Sequence, residues 1–328
     1  MPRIALVCGL VCSLAPVGFA HADDEEAVDE EVVKEAEEVE ADAIAESDEP
    51  PVTEDEVKVA TFHEYPTRFA RRPLVLGMGM VRADSRLTVG GVSGPGTFSS
   101  LDLGGAISPV ENLELGLSTE LTGAVPAPGG IGLISIIFSP NASYGDIPVY
   151  ARYQFHEGEK GFLAGVDLLL VLPSNTDFTL TAGLPMRILE LFGLFTVDMN
   201  VNLRYRNGDK YAAFVPDPSK NTMDFEFGGA AIINLTDYGF LEIGGGLSVT
   251  NIGGAPDAKN VIEIPFFLGG GYTLQRKDLV DLFAQFGWMP LMTANAPPGR
   301  DTFNVGDDWF VTIGATVHTK PLFGKNKK

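Results

Sequence analysis

The sequence predicts an all-β chain: a transmembrane antiparallel up-and-down β-barrel of about 12 strands, preceded by a disordered acidic N-terminal segment. Three observations carry that reading. Apolar and polar residues alternate with a period of two along most of the chain. Tight and longer connections alternate between those segments. Nowhere do roughly twenty uninterrupted apolar residues suit a membrane helix.

The chain has 328 residues, 45% of them apolar, and a net charge of −21. That acidity argues against binding nucleic-acid phosphate. Two cysteines and four histidines leave little material for a thiol enzyme, a zinc site or a disulfide scaffold. No cofactor and no metal are expected.

Met1-Pro2-Arg3, the apolar run Ile4 to Phe19 and the small-x-small triplet Ala20-His21-Ala22 together predict a signal peptide over 1–22. Leu10-Val11-Cys12 also resembles a lipobox, but Val11 stands where a small residue is needed. Cleavage after Ala22 removes Cys8 and Cys12 and leaves a chain without a thiol. Residues 23–58 then hold 18 acidic side chains against Lys34 and Lys58, with no aromatic residue. Such a stretch cannot bury enough apolar surface to offset its chain entropy, so a disordered periplasmic tail is expected. The spacing of Val28, Val32, Ala36, Val39 and Ala43 leaves open a short helix on a partner. A basic periplasmic partner or divalent cations would suit its charge. Residues 59–72 are read as a linker and 73–328 as the barrel.

Each strand follows from its alternation. The first is expected at Leu74–Val81, the second at Leu101–Ser108 and the third at Asn112–Leu121. Next come Ile147–His156, Phe162–Leu172, Phe178–Ile188 and Thr196–Arg206. Met223–Leu235, Leu241–Thr250, Ile262–Leu274, Val280–Trp288 and Trp309–His318 complete the twelve. In Thr196–Arg206, Val197, Met199, Val201, Leu203 and Tyr205 face one way, and the polar residues between them face the other. Five connections are tight: Pro109-Val110, Gly158–Lys160, Leu191–Gly193, Thr236-Asp237 and Arg276–Asp278. Those between them are longer, the first running from Ala83 to Thr97. Short periplasmic turns and longer outer loops have this asymmetry. A soluble barrel would put its oily face inward, yet closing twelve strands leaves a lumen too wide for side chains alone to fill. Aromatics mark two expected girdles. Phe98, Phe178, Tyr205, Phe225, Trp288 and Trp309 lie near the outer ends, and Phe155, Phe162, Phe195, Phe240 and Tyr272 near the periplasmic ends.

On these residues, from about Pro73 to Phe323, the chain resembles Gram-negative outer-membrane β-barrel proteins of the porin-like or channel-like kind. The Arg72-Pro73-Leu74-Val75-Leu76 stretch is similar to the start of many uncharacterised exported barrels. The resemblance implies a place in the cell outer membrane, contact with its lipid and passage of small solutes. Such barrels commonly end on an aromatic residue that the insertion machinery reads. Here Phe323 is followed by five more residues, so His318–Phe323 would have to extend the last strand.

The wet faces supply the candidate pore-lining residues: Asp102, Glu114, Glu120, Arg152, Asp167, Arg187, Asp198, Arg204, Asp224, Glu226, Glu242, Glu263 and Asp281. Tight turns set Arg152 opposite Asp167 and Arg187 opposite Asp198, each pair stabilising by about 0.2–1 kcal/mol. Arg204 is expected near Asp224 or Glu226. The acid surplus predicts a cation-preferring channel. Inward glycines, Gly116, Gly244, Gly271 and Gly314 among them, are expected to leave room for water, solute or an inserted segment. The oily loop Gly123–Gly145 could fold into the lumen or prolong its strands, and the acidic tail could act as a plug. The alternative is a closed structural barrel that presents its loops and tail to partners. No catalytic residues are assigned: His156 and His318 fall at periplasmic strand ends, and no Ser-His-acid grouping converges on the outer face.

Overall fold

The computed structural model describes residues 65–92, 96–117, 132–139, 141–158, 161–173, 178–192, 195–208, 221–254, 260–275, 278–296, 302–303, 306 and 308–323. The expected signal peptide, the acidic segment, Glu120 and the first part of the Gly123–Gly145 loop lie outside the described residues.

Alternation makes strands, and their pairing makes a closed wall. β1 (Val81–Val92), β2 (Gly96–Val110) and β3 (Leu113–Gly116) begin it. β6 (Ile147–Glu157), β7 (Phe162–Leu172), β8 (Thr179–Leu191) and β9 (Phe195–Arg206) continue it. β10 (Thr222–Asn234), β11 (Gly239–Ile252), β12 (Val261–Gln275), β13 (Leu279–Ala294) and β14 (Trp309–His318) complete it. Every wall strand pairs antiparallel with its neighbours, and β1 pairs with both β2 and β14, so these twelve strands close without a free edge. In hydrocarbon an open edge would leave backbone donors and acceptors without partners, so closure is what allows a sheet to span a bilayer. The outer face carries the matching surface. Leu87, Leu168, Leu184, Leu203, Phe227, Leu247, Leu268, Phe286 and Ile313 all stand exposed on it. Such a wall, apolar outside and polar inside, is that of an outer-membrane barrel.

A short hairpin, β4 (Ile134–Ser139) and β5 (Ser143–Tyr144), adds to this ring. Where β3 ends, β4 takes its place beside β2, pairing along Ser99–Leu103. The described part of the oily loop therefore prolongs the wall. Its inward Ser135 donates a hydrogen bond to Asp102, while Ile134 and Phe138 are exposed.

The first strand departs from expectation. Of the expected strand Leu74–Val81, only Val81 is part of the wall. β1 begins at Val81 and runs through the stretch read from sequence as a long loop. Its inward side chains include Arg82, Asp84 and Thr88, all buried. Its outward Ala83 and Ser85 are small and only weakly apolar, so the alternation is faint and the charges suggest a loop. Residues 65–80 lie inside the barrel instead. There Phe69–Arg71 form one 3-10 turn, and Leu74, Val75, Leu76 and Met80 are buried.

Gly79 is where the chain passes from lumen to wall. Its φ is 79°, and a Cβ there would collide with the carbonyl of Phe323. The Gly79 N–H donates to the Ser108 carbonyl at 2.7 Å, and its own carbonyl accepts from Leu322 N at 2.8 Å. Only glycine meets both demands without strain. The C-terminal residues thus run beyond β14 beside this crossing point.

The lipid-facing assignment is directly testable. Leu184, 49% exposed midway along β8, should tolerate no charge. Leu184→Arg should destabilise the barrel by about 2–4 kcal/mol in denaturant titrations in lipid vesicles.

Candidate functional site

The interior is wired by charge. The pairs expected from the tight turns are present in register. Arg152 stands opposite Asp167 and grips it through Nε at 2.7 Å and Nη2 at 3.0 Å. Arg187 stands opposite Asp198 and grips it twice at 2.6 Å. Two-pronged guanidinium–carboxylate contacts of this kind are strong and directional. Arg204 sits opposite Asp224 in register but reaches Glu226 at 3.0 Å, and Arg206 takes Asp224 at 2.7 Å. Asp224 also accepts the Asn251 N–H at 3.1 Å. Asp102 accepts from Ser100 at 2.9 Å, and Glu242 from Gln285 at 3.3 Å. Glu263 is buried beside Ser248 and Thr293 in register.

Among the described residues the carboxylates of the inner wall include Asp84, Asp102, Glu114, Asp146, Asp167, Asp198, Asp224, Glu226, Glu242, Glu263, Asp281 and Asp308. Six arginines face them: Arg82, Arg86, Arg152, Arg187, Arg204 and Arg206. Arg82, Asp84 and Arg86 were invisible to the sequence reading because β1 was placed elsewhere.

The inner segment crosses the lumen near the short turns and is held from every side. Arg72 forms a buried ion pair with Asp281, its Nη2 lying 2.8 Å from Oδ1, and it also meets the His318 ring nitrogen at 3.3 Å. Asp281 in turn accepts from Thr273 at 2.7 Å and lies 3.0 Å from His318 Nε2. Most other contacts go to the segment's main chain. Arg152 donates to the Leu74 carbonyl at 3.0 Å, and Arg187 to the Arg72 carbonyl at 2.6 Å. Thr196 donates to the Ala70 carbonyl at 2.6 Å. Glu114 accepts the Leu76 N–H at 2.8 Å, as well as hydrogen bonds from Tyr150 and Arg82. At the rim Arg68 pairs with Asp237 and Arg71 with Glu190. Desolvation in this setting raises the Tyr65 phenol pKa above its ordinary value, while Arg72 pulls it the other way.

Apolar packing adds to these bonds. Leu76 and Met80 belong to one buried cluster with Ala106, Tyr150, Leu169 and Val171. β7 therefore has apolar residues on both faces, and the run Leu168 to Leu172 is the sequence signal that could have revealed it. Phe69 stacks on Phe240 with ring centroids 4.0 Å apart.

Two expectations about the interior are corrected. Phe240 belongs to this inner packing rather than to a lipid-facing girdle, and Phe98 packs inward against the cluster of Ala230, Phe267 and Phe310. Nor are the inward glycines open space. A Cβ at Gly116 would strike Tyr150, at Gly244 Phe267, at Gly271 Phe240 and at Gly314 Phe283. Each missing side chain makes room for an inward aromatic ring. Among the other aromatics, Trp288 meets Phe286 at 4.6 Å, and Phe155, Phe225 and Tyr272 stand exposed.

In overall shape the barrel is similar to the NanC porin, with a TM-score of 0.48 and 11% identity over 71% of this chain and 98% of that one. An outer-membrane channel from Pseudomonas putida F1 superposes with a TM-score of 0.47 and 10% identity, over 79% of this chain and 99% of that one. The KdgM porin in complex with disordered oligogalacturonate gives 0.42 and 8%, over 72% and 97%. No protein-family model and no curated protein matches the chain.

The buried pairs carry their own test. Asp198→Ala, which strands Arg187, should cost about 3–5 kcal/mol of barrel stability in denaturant titrations. Replacing both partners, as Arg187→Met with Asp198→Leu, should recover most of that loss.

Proposed function

We propose that the chain is an outer-membrane channel for small solutes, preferring cations, whose periplasmic mouth is occupied by its own segment Tyr65–Met80. The observation that carries this reading is a closed twelve-strand wall with an apolar exterior and a charged interior. The short turns mark the periplasmic end and the longer connections the outer end. Toward the longer connections the interior is reachable: the Arg204–Glu226 pair has side-chain exposures of 36% and 17%. Among the described residues the inner carboxylates outnumber the arginines, Arg72 included. An acidic lining favours cations over anions. The residues assigned to that preference are Glu226 and Glu263, which share a row across Ser248, with Asp224 beside them on β10.

A second reading is favoured by the inward aromatic rings and the wired segment: a closed structural barrel. In that reading the acidic residues 23–58 serve as an arm for a basic partner or divalent cations. Conductance separates the two, since a closed barrel passes no ions whatever its charge.

Purified full-length chain in planar bilayers under a salt gradient should give single-channel steps with a reversal potential of cationic sign. Glu226→Gln with Glu263→Gln should move that potential toward zero. Anion-favouring steps would remove the cation preference, and silence would remove the channel.

A further inference from the structure

The inner segment is attached in an unusual way for a permanent part of a core. Arg152 and Arg187, which hold its main chain, each keep a two-pronged bond to a wall carboxylate, Asp167 and Asp198. What they give the segment is a further N–H. Glu114, which accepts from Leu76 N, also holds Arg82 and Tyr150. Asp281, the partner of Arg72, keeps Thr273 and His318. Each of these wall charges therefore retains a wall partner if the segment departs. Stranding a buried charge is what makes the loss of an ion pair so costly; Arg152, Arg187 and Glu114 keep charged wall partners, and Asp281 keeps its contacts with Thr273 and His318.

The segment's own side of the ledger agrees. The Arg68–Asp237 and Arg71–Glu190 pairs at the rim are partly exposed, and such contacts hold weakly. Arg68, Arg71 and Arg72 would go into water, where charge is welcome. Gly77 and Gly79 lie just before β1, and Gly79 already adopts a left-handed conformation. Against release stand the Arg72–Asp281 pair, the stacked Phe69 and the apolar contacts of Leu76.

We propose that Tyr65–Met80 is a releasable plug, and that the lumen wall beneath it is a binding site for an extended peptide, recognised mainly through its main chain and one arginine. This rests on the channel reading, in which release opens the periplasmic mouth. The rest state is the docked one, since Leu76 is only 2% exposed.

The test uses the full chain with Cys8 and Cys12 changed to Ser and Leu76→Cys added, with and without Arg72→Ala. Both forms go into liposomes for labelling by a membrane-impermeant maleimide and into planar bilayers for current. Phe192→Cys, on an exposed turn, serves as the labelling control. We expect slow labelling at position 76, faster by about tenfold with Arg72→Ala, together with longer open events. A synthetic peptide of the Tyr65–Met80 sequence, added on the short-turn side, should shorten those open events, and the same peptide carrying Arg72→Ala should not. A position 76 that stays unlabelled while the control reacts overturns the plug. If current flows all the same, the channel reading stands without it. Labelling without current upholds release and sinks the channel reading.

Discussion

Closure of the sheet is the constraint on which the rest of this molecule depends. Hydrocarbon offers no water to a backbone N–H or carbonyl, so a spanning sheet must pair every strand on both sides. β1 is the strand that meets this demand, lying between β2 and β14. Because Val81–Val92 is needed in the wall, the residues just before it must go elsewhere. They turn at Gly79 into the lumen, and the C-terminal Leu322 and Phe323 lie against the turn.

The interior then meets a second demand. A barrel of this width leaves space that wall side chains alone cannot fill. Two materials fill the lumen: the segment Tyr65–Met80 in the short-turn half, and aromatic rings laid over inward glycines, among which Phe98 and Phe310 lie toward the longer connections. Charges enclosed in such a place must be paired, because desolvating a lone ion costs several kcal/mol. Arg152–Asp167, Arg187–Asp198 and Arg72–Asp281 answer that requirement. Toward the longer connections the demand relaxes. There Arg204 and Glu226 keep contact with water. On the same side Phe98 packs inward against Phe267 and Phe310, so the wetter part of the interior is the stretch of wall around Arg204 and Glu226.

Much of this was legible residue by residue. Thr196–Arg206 alternates so cleanly that its two faces follow correctly from sequence. Tight turns then set the register of Arg152 with Asp167 and of Arg187 with Asp198. The failures also have physical causes. Leu74–Val81 alternates as a strand does, and nothing local says that its apolar residues meet Tyr150 and Leu169 rather than lipid. Phe240 looks like an interfacial aromatic until Phe69 is found stacked upon it.

The sequence by itself determined the period, the strand number and the registers of the Arg152–Asp167 and Arg187–Asp198 hairpins, because each depends on neighbours along the chain or across a short turn. Only the tertiary structure decided which segment closes the ring, what occupies the lumen and how many charges meet there. Those outcomes depend on residues far apart in the chain, such as Arg72 and Asp281, whose meeting no local pattern records.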